Sequence, residues 1–197
     1  SAASDVYKRQ AQERTIVEKA YPGDIIGLFD PGIFGIGDSL SDEKLKLTFE
    51  DFPVFPPEIF ARVQPRDSLK RKQFEKGILQ LSQEGAIQIF NQKHVGLESF
   101  VVGVVGQLQL EVLEYRLQNE YNAQLIMTAL PFTVARWVYA EDPRAIESLR
   151  GLDNGMLVYD KNDRPVILVN NEWALNWILQ RNQGLEFLTV PPDKARV

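Results

Sequence analysis

The chain has no cysteine and a single histidine, His94. Disulfides, thiolate metal sites and cysteine nucleophiles are therefore excluded. His94 sits beside Lys93 in a polar stretch, with no neighbour that would set it up as a base, and reads as a solvated loop residue. Basic charge is also scarce: 22 Lys and Arg stand against 27 Asp and Glu, a net charge of −5. That balance argues against a general nucleic-acid binder and leaves room only for a local basic patch. No apolar run approaches the roughly 20 residues needed to cross a bilayer. The pattern G-x-x-x-x-G-K-[ST] is missing, so no loop of backbone amides plus lysine is offered to a triphosphate. Gly32-x-x-Gly35-x-Gly37 has the wrong spacing for a dinucleotide fingerprint and leads into Asp38-Ser-Leu rather than a helix; it reads as turn geometry.

What is present is an ordinary globular composition, 44% hydrophobic and 25% charged over 197 residues, enough for one large domain or two small ones. Ser1–Gln10 lacks the apolar centre of a signal peptide and fits poorly with the residues after it; it reads as a leader foreign to the sequence that follows. Residues 11–49 have β character, with short apolar runs at Thr15–Val17 and Asp24–Phe29 around the turn Tyr21-Pro-Gly23. There are too few strands for a closed barrel, and a fragment of one would leave unpaired edges unless later parts cover it. The proline-rich Phe52–Pro57 is a stiff connector, and the next domain is expected over 50–197.

Within it, Ile59–Val63 reads as a strand. A helix capped by Asp67 or Ser68 comes next, carrying Phe74, Ile78 and Leu81 on one stripe to about Glu84, with Gly85 beyond its end. Ala86–Phe90 alternates like a half-buried strand, and Phe100–Val105 is a continuous apolar run suited to a central one. A second helix, Gln107–Tyr121, aligns Leu110, Leu113, Leu117 and Tyr121, and a strand at Gln124–Thr128 completes β-α-β-β-α-β over 50–130, the ferredoxin-like arrangement. The same order recurs over 131–197: strand Thr133–Tyr139, short helix Pro143–Arg150, hairpin strands Met156–Tyr159 and Val166–Val169, helix Asn171–Gln183 and strand Leu185–Val190. Two separate units and one fused sheet are both compatible with this order. The fold class is α+β.

Four features have competing readings. Gly103-x-x-Gly106, at a strand-to-helix turn, fits close packing better than phosphate binding. Asp160, Asn162 and Asp163 imitate the start of a calcium loop, but Pro165 replaces the needed glycine and Asn171 the closing glutamate, so a hairpin turn is expected. Trp173 and Trp177, with Ile178 adjacent, read as a core stripe, with a protein-facing surface as the alternative. The basic set Arg66, Lys70, Arg71, Lys72 and Lys76 is either an ordinary solvated helix face with an Arg71–Glu75 pair or a phosphate-gripping cluster. Lys72 and Lys76 fall opposite the apolar stripe and should face solvent.

Several segments together resemble the bacterial release factor 3 family of translational GTPases. Ala20-Tyr-Pro-Gly-Asp-Ile-Ile-Gly27 and Ile36-Gly-Asp-Ser-Leu40 are similar to the end of that family's second, β-barrel domain. Phe52–Gly85, Val102-Gly-Val-Val-Gly-Gln-Leu-Gln109, Arg116-Leu, Glu120-Tyr-Asn122 and Ala135-Arg-Trp137 are similar to its third domain. The likeness is clear over 11–140 and reduces to element order from Glu141 onward. It implies a cytoplasmic, monomeric, non-catalytic rear part of a GTPase that releases class I release factors from the ribosome. GTP and magnesium would belong to a front domain that this chain lacks. It further implies contacts with small-subunit rRNA and protein, for which Arg66, Lys70, Arg71, Lys72 and Lys76 are candidates, with Arg116 and Arg136 weaker ones. The rival readings are a fragment of an elongation-factor-like or ribosome-protection GTPase, and a stand-alone ferredoxin-like RNA-binding module. The second is disfavoured by the acidic charge and by the lack of an aromatic RNA-stacking strand.

Overall fold

The computed structural model describes residues 6–10, 13–16, 19–29, 33–34, 38–41, 55–93, 99–142 and 144–192; His94, the first half of the Phe52–Pro57 connector and Gly35–Gly37 lie outside them. The chain divides into two compact units, 1–49 and 50–197.

In the first unit, β1 (Val6–Gln10) pairs antiparallel with both β2 (Glu13–Ile16) and β3 (Ile26–Leu28). Part of the expected leader thus supplies the middle strand. The turn before β3 forms as its residues dictate. Gly23 takes φ 93°, the Asp24 amide donates to the Tyr21 carbonyl at 2.9 Å, and the Asp24 carboxylate accepts from the Tyr21 amide at 3.0 Å.

The second unit is built on one antiparallel sheet. Its first half contains β4 (Ile59–Pro65), α1 (Arg71–Gln83), β5 (Gln88–Asn91), β6 (Phe100–Val104), α2 (Gln107–Tyr121) and β7 (Leu125–Leu130). Its second half contains β8 (Val134–Tyr139), α3 (Arg144–Glu147), β9 (Met156–Asp160), β10 (Pro165–Val169), α4 (Glu172–Arg181) and β11 (Glu186–Leu188). The strand order is β11-β8-β10-β9-β5-β6-β4-β7. Each half therefore has the same ferredoxin-like order, fourth-first-third-second, and the halves meet edge to edge. Phe90 pairs with Asp160 and Asn91 with Tyr159 at that seam, where Lys93 lies 4.0 Å over the Tyr159 ring. The sheet is fused, one of the two arrangements the element order allows.

Strand alternation sorts the side chains. Ala61, Val63, Ile89, Val102 and Val104 face α1 and α2, meeting Phe74, Ile78, Leu81, Leu110, Leu113 and Leu117 in one core. In the other half Val138, Ile167 and Val169 meet Leu175 and Ile178 of α4. The helix-free faces of both halves supply a further core that includes Phe60, Phe90, Val101, Trp137, Val158, Val166 and Leu168. Side chains from two half-sheets can share one core only if the sheet curls until those faces oppose each other. Val166 and Leu168 are fully buried although no helix among the described residues contributes to this core.

The glycines of the strand-to-helix turn have separate roles. A Cβ on Gly103 would lie 2.9 Å from both Phe90 and Pro57, so the strand neighbour and the connector pack against its bare backbone. Gly106 has open space around it and marks the start of α2. There Gln109 accepts from the amides of Val105 (2.8 Å) and Gly106 (3.1 Å) and donates to the Ala86 carbonyl (3.0 Å), fixing the helix start to the preceding hairpin. The close packing expected at this motif is thus made by Gly103 alone, and not against the helix. The calcium-like triplet is a turn: Asp163 takes φ 57° and its amide donates to the Asp160 carbonyl at 3.0 Å.

Candidate functional site

The chain leaves β4 at Pro65, and the Arg66 amide donates to the Gln124 carbonyl at 2.9 Å, which ties this corner to the start of β7. Asp67 then caps a 3-10 turn over Ser68–Lys70 through a 2.9 Å bond from the Leu69 amide, and α1 begins at Arg71. The expected cap is Asp67, but it starts a tighter turn that hands over to the α-helix. Phe74, Gly77, Ile78 and Leu81 point inward, and Lys72 and Lys76 stand exposed on the far side.

The sequence candidates fall into two groups. Arg71 bonds Glu75 at 2.7 Å, the pair expected from their spacing. Arg116 is held by Glu120, through bonds of 2.7 and 2.8 Å, and also by Glu84 of the first helix. Arg136 bonds Glu172 at 3.0 Å and the Ala135 carbonyl at 2.8 Å, pinning β8 to the first turn of α4. By contrast, Arg66, Lys70, Lys72 and Lys76 form no ion pair among the described residues, and Arg66, Lys72 and Lys76 are exposed.

This second group is electrostatically unfavourable as it stands. A helix N-terminus carries a partial positive charge that favours acids. The first turn of α1 contains no acid and is instead entered through Lys70, Arg71 and Lys72. Lys72 and Lys76 are one turn apart, and like charges so placed destabilise a helix by roughly 0.2–0.5 kcal/mol. An anion would relieve both effects.

The Arg116 clamp supports a separate pH prediction. The Arg116 guanidinium holds the Glu120 carboxyl below the ordinary glutamate range, and the Glu120 and Glu84 carboxylates together keep Arg116 firmly protonated. Glu120's folded value is depressed, so the pair's contribution is complete above its unfolded value, roughly pH 4.3. It is lost as pH falls through the folded value. In Arg116→Gln, the Glu120 midpoint followed by carboxyl NMR should move up toward the ordinary range. An unmoved midpoint would mean that Arg116 is not the cause.

Sequence reasoning misplaced the tryptophans. Leu175 and Ile178 are the buried side of α4, and Trp173 and Trp177 lie opposite them, 73% and 41% exposed. Adjacent residues on a helix point about 100° apart, which turns Trp173 and Trp177 away from the side that Leu175 and Ile178 bury; the helical period held the signal. The Gly103–Gly106 turn carries no lysine or hydroxyl side chain, and no three His, Asp or Glu among the described residues converge on a metal-sized space. No helix among them is long and apolar enough to cross a membrane.

Residues 49–179 match the family model described as class II release factor RF3, C-terminal domain. The chain is 46% identical over 179 residues to a peptide chain release factor 3 of Symbiobacterium thermophilum, covering 90% of this chain and 33% of that protein. It is 44% identical over 180 residues to one from Listeria welshimeri, covering 91% and 34%, and 42% identical over 178 residues to one from Limosilactobacillus reuteri, covering 90% and 33%. The chain thus spans about a third of the length of the curated relatives it matches. A Thermus thermophilus crystal structure aligns with 70% of this chain and 22% of its own at 14% identity and a TM-score of 0.48, too slight a likeness to bear on the argument. The match over residues 49–179, which takes in the basic corner, the first half of the fused sheet and the second half as far as α4, places this chain in the class II release factor RF3 C-terminal domain family.

Proposed function

We propose that the chain is the ribosome-facing rear part of a release factor 3, a GTPase that helps dissociate class I release factors from the ribosome at termination. Residues 11–49 would be the tail of its β-barrel domain and 50–197 its third domain. GTP and magnesium would be held by a front part of the longer protein, and this part would act as a monomeric, non-catalytic scaffold in the cytoplasm. Its partners would be small-subunit rRNA and protein. The carrying observation is the set of cations Arg66, Lys70, Lys72 and Lys76, without ion pairs among the described residues and gathered at an acid-free helix start in a chain with a net negative charge. Phosphate oxygens are the anions that such a set would engage. Arg116 and Arg136 are engaged in internal pairs and would contribute by holding the domain together.

The test is sedimentation of this chain with purified small ribosomal subunits across a salt series. The triple reversal Lys70→Glu, Lys72→Glu, Lys76→Glu should weaken binding at least tenfold at low salt. It should also flatten the slope of log affinity against log salt by roughly 0.7–0.9 per lost phosphate contact. Folding should survive, because the three side chains lie outside the buried Phe74, Ile78 and Leu81 stripe and acids at positions 70 and 72 suit a helix N-terminus. Unchanged affinity at low salt would reject the assignment.

A further inference from the structure

The outer face of α4 carries a ladder. Trp173 and Trp177 lie with ring centroids 5.9 Å apart and planes within 19° of parallel, and the Arg181 guanidinium lies 3.1 Å over the Trp177 ring. Beside this ladder the loop Gly151–Gly155 closes a pocket of about 250 Å³ lined by Asp153, Asn154, Trp173 and Trp177, with Val169 and Ile178 at its floor. That volume is below the roughly 300–1,000 Å³ typical of small-molecule sites and suits a single side chain.

The loop is shaped to reach the ladder. Gly151 turns at φ 82°, where a Cβ would stand 3.3 Å from Trp177 Cδ1. A Cβ on Gly155 would stand 2.9 Å from the Leu168 carbonyl oxygen, so the loop lies directly on β10. Between them the Gly155 amide closes a turn onto the Leu152 carbonyl at 3.0 Å. Asp153, in the middle of that turn, is exposed and has no ion pair among the described residues.

We infer that this pocket is a docking site for an arginine side chain of a basic protein segment. Trp177 is already covered by Trp173 and Arg181, so the exposed Trp173 indole supplies the cation–π surface and Asp153 supplies the carboxylate. A guanidinium is planar and weakly hydrated, and it can stack on an indole while its N–H fork meets a carboxylate; an ammonium cannot do both as well. Arg181 already displays this chemistry within the chain, stacked on the neighbouring plane of the same ladder. A nucleobase could also stack on Trp173, but an unpaired carboxylate in the pocket repels the phosphates that accompany it. The site belongs to the second half of the sheet, apart from the basic corner on α1, so its occupancy does not rest on the phosphate contacts proposed there.

The test follows the three indole N–H signals of the full chain by NMR, assigned with Trp173→Phe and Trp177→Phe, Trp137 serving as the buried reference. The probes are a blocked peptide of four Gly-Arg repeats, its Lys and Glu counterparts, and an eight-residue oligouridylate. The Arg peptide should shift the Trp173 and Trp177 signals saturably and leave Trp137 still. The Lys peptide should bind at least threefold more weakly and the Glu peptide not at all. Trp173→Ala and Asp153→Asn should each weaken the Arg peptide at least fivefold, while the triple Lys→Glu reversal on α1 should not weaken it. Absence of a saturable shift at millimolar peptide, equal affinity in both pocket variants, or tighter binding of oligouridylate than of the Arg peptide would overturn the inference.

Discussion

Asp160→Ala is expected to lower the unfolding free energy by about 3–5 kcal/mol, the range for breaking a buried ion pair by deleting one partner. Asp160 is buried where β9 meets the hairpin turn. One carboxylate oxygen accepts from the indole N–H of Trp137 at 2.9 Å and from Arg164 Nε at 2.7 Å. The other accepts from the amides of Asn162 (2.9 Å) and Arg164 (3.1 Å). Alanine would strand the Trp137 donor inside the core shared by the two half-sheets, remove a charge partner of Arg164 and release a turn held with Asp163 at positive φ. The loss is a large share of the roughly 5–15 kcal/mol that holds a domain together. Asp160→Asn, which keeps an acceptor oxygen and the side-chain shape, should lose about half as much. Urea unfolding followed by Trp fluorescence reads both variants, and a loss under about 1 kcal/mol for the alanine would show that the turn holds itself without the carboxylate.

Gly77→Leu should cost about 3 kcal/mol, the upper end for inserting bulk into a packed core. A Cβ at this position would come within 2.5 Å of Leu117 Cδ2 and 2.9 Å of the Tyr121 ring. Leu117 is fully buried, so room for the new side chain comes mainly from pushing α1 away from α2. Gly77→Ala separates two opposing effects: alanine gains up to about 1 kcal/mol of helix propensity, and the clash should more than cancel it, leaving a small net loss. Displacing α1 also displaces Lys72 and Lys76, so the leucine variant should bind ribosomal subunits less well even where it remains folded. A leucine variant as stable as the parent would mean that the helices separate freely at this point.

The first half of the large sheet is legible because its residues state their period. Phe74, Ile78 and Leu81 in α1, and Leu110, Leu113 and Leu117 in α2, repeat at helical spacing and are all buried. The alternation in β5 likewise sorts Ile89 and Phe90 into different cores. The second half is weaker in outline, where a helix expected over Pro143–Arg150 is seen only as Arg144–Glu147. The tryptophans of α4 read as core because large aromatics usually are, although their spacing from Leu175 and Ile178 puts them outside.

Sequence alone determined the order of strands and helices over 50–197, the inward stripes of α1 and α2, the caps and the basic corner, because each depends on residues within a few turns of one another. It also carried the family resemblance. Tertiary structure decided which of the two compatible arrangements the repeated β-α-β-β-α-β takes, since edge pairing of Phe90 with Asp160 joins residues far apart in the chain. It decided which cations are taken: Arg116 finds Glu84 across two helices and Arg136 finds Glu172 across a strand and a helix, while Lys70, Lys72 and Lys76 meet no acid among the described residues. Charge is written in the sequence, but its neutralisation depends on distance in space, and only the folded chain sets that distance.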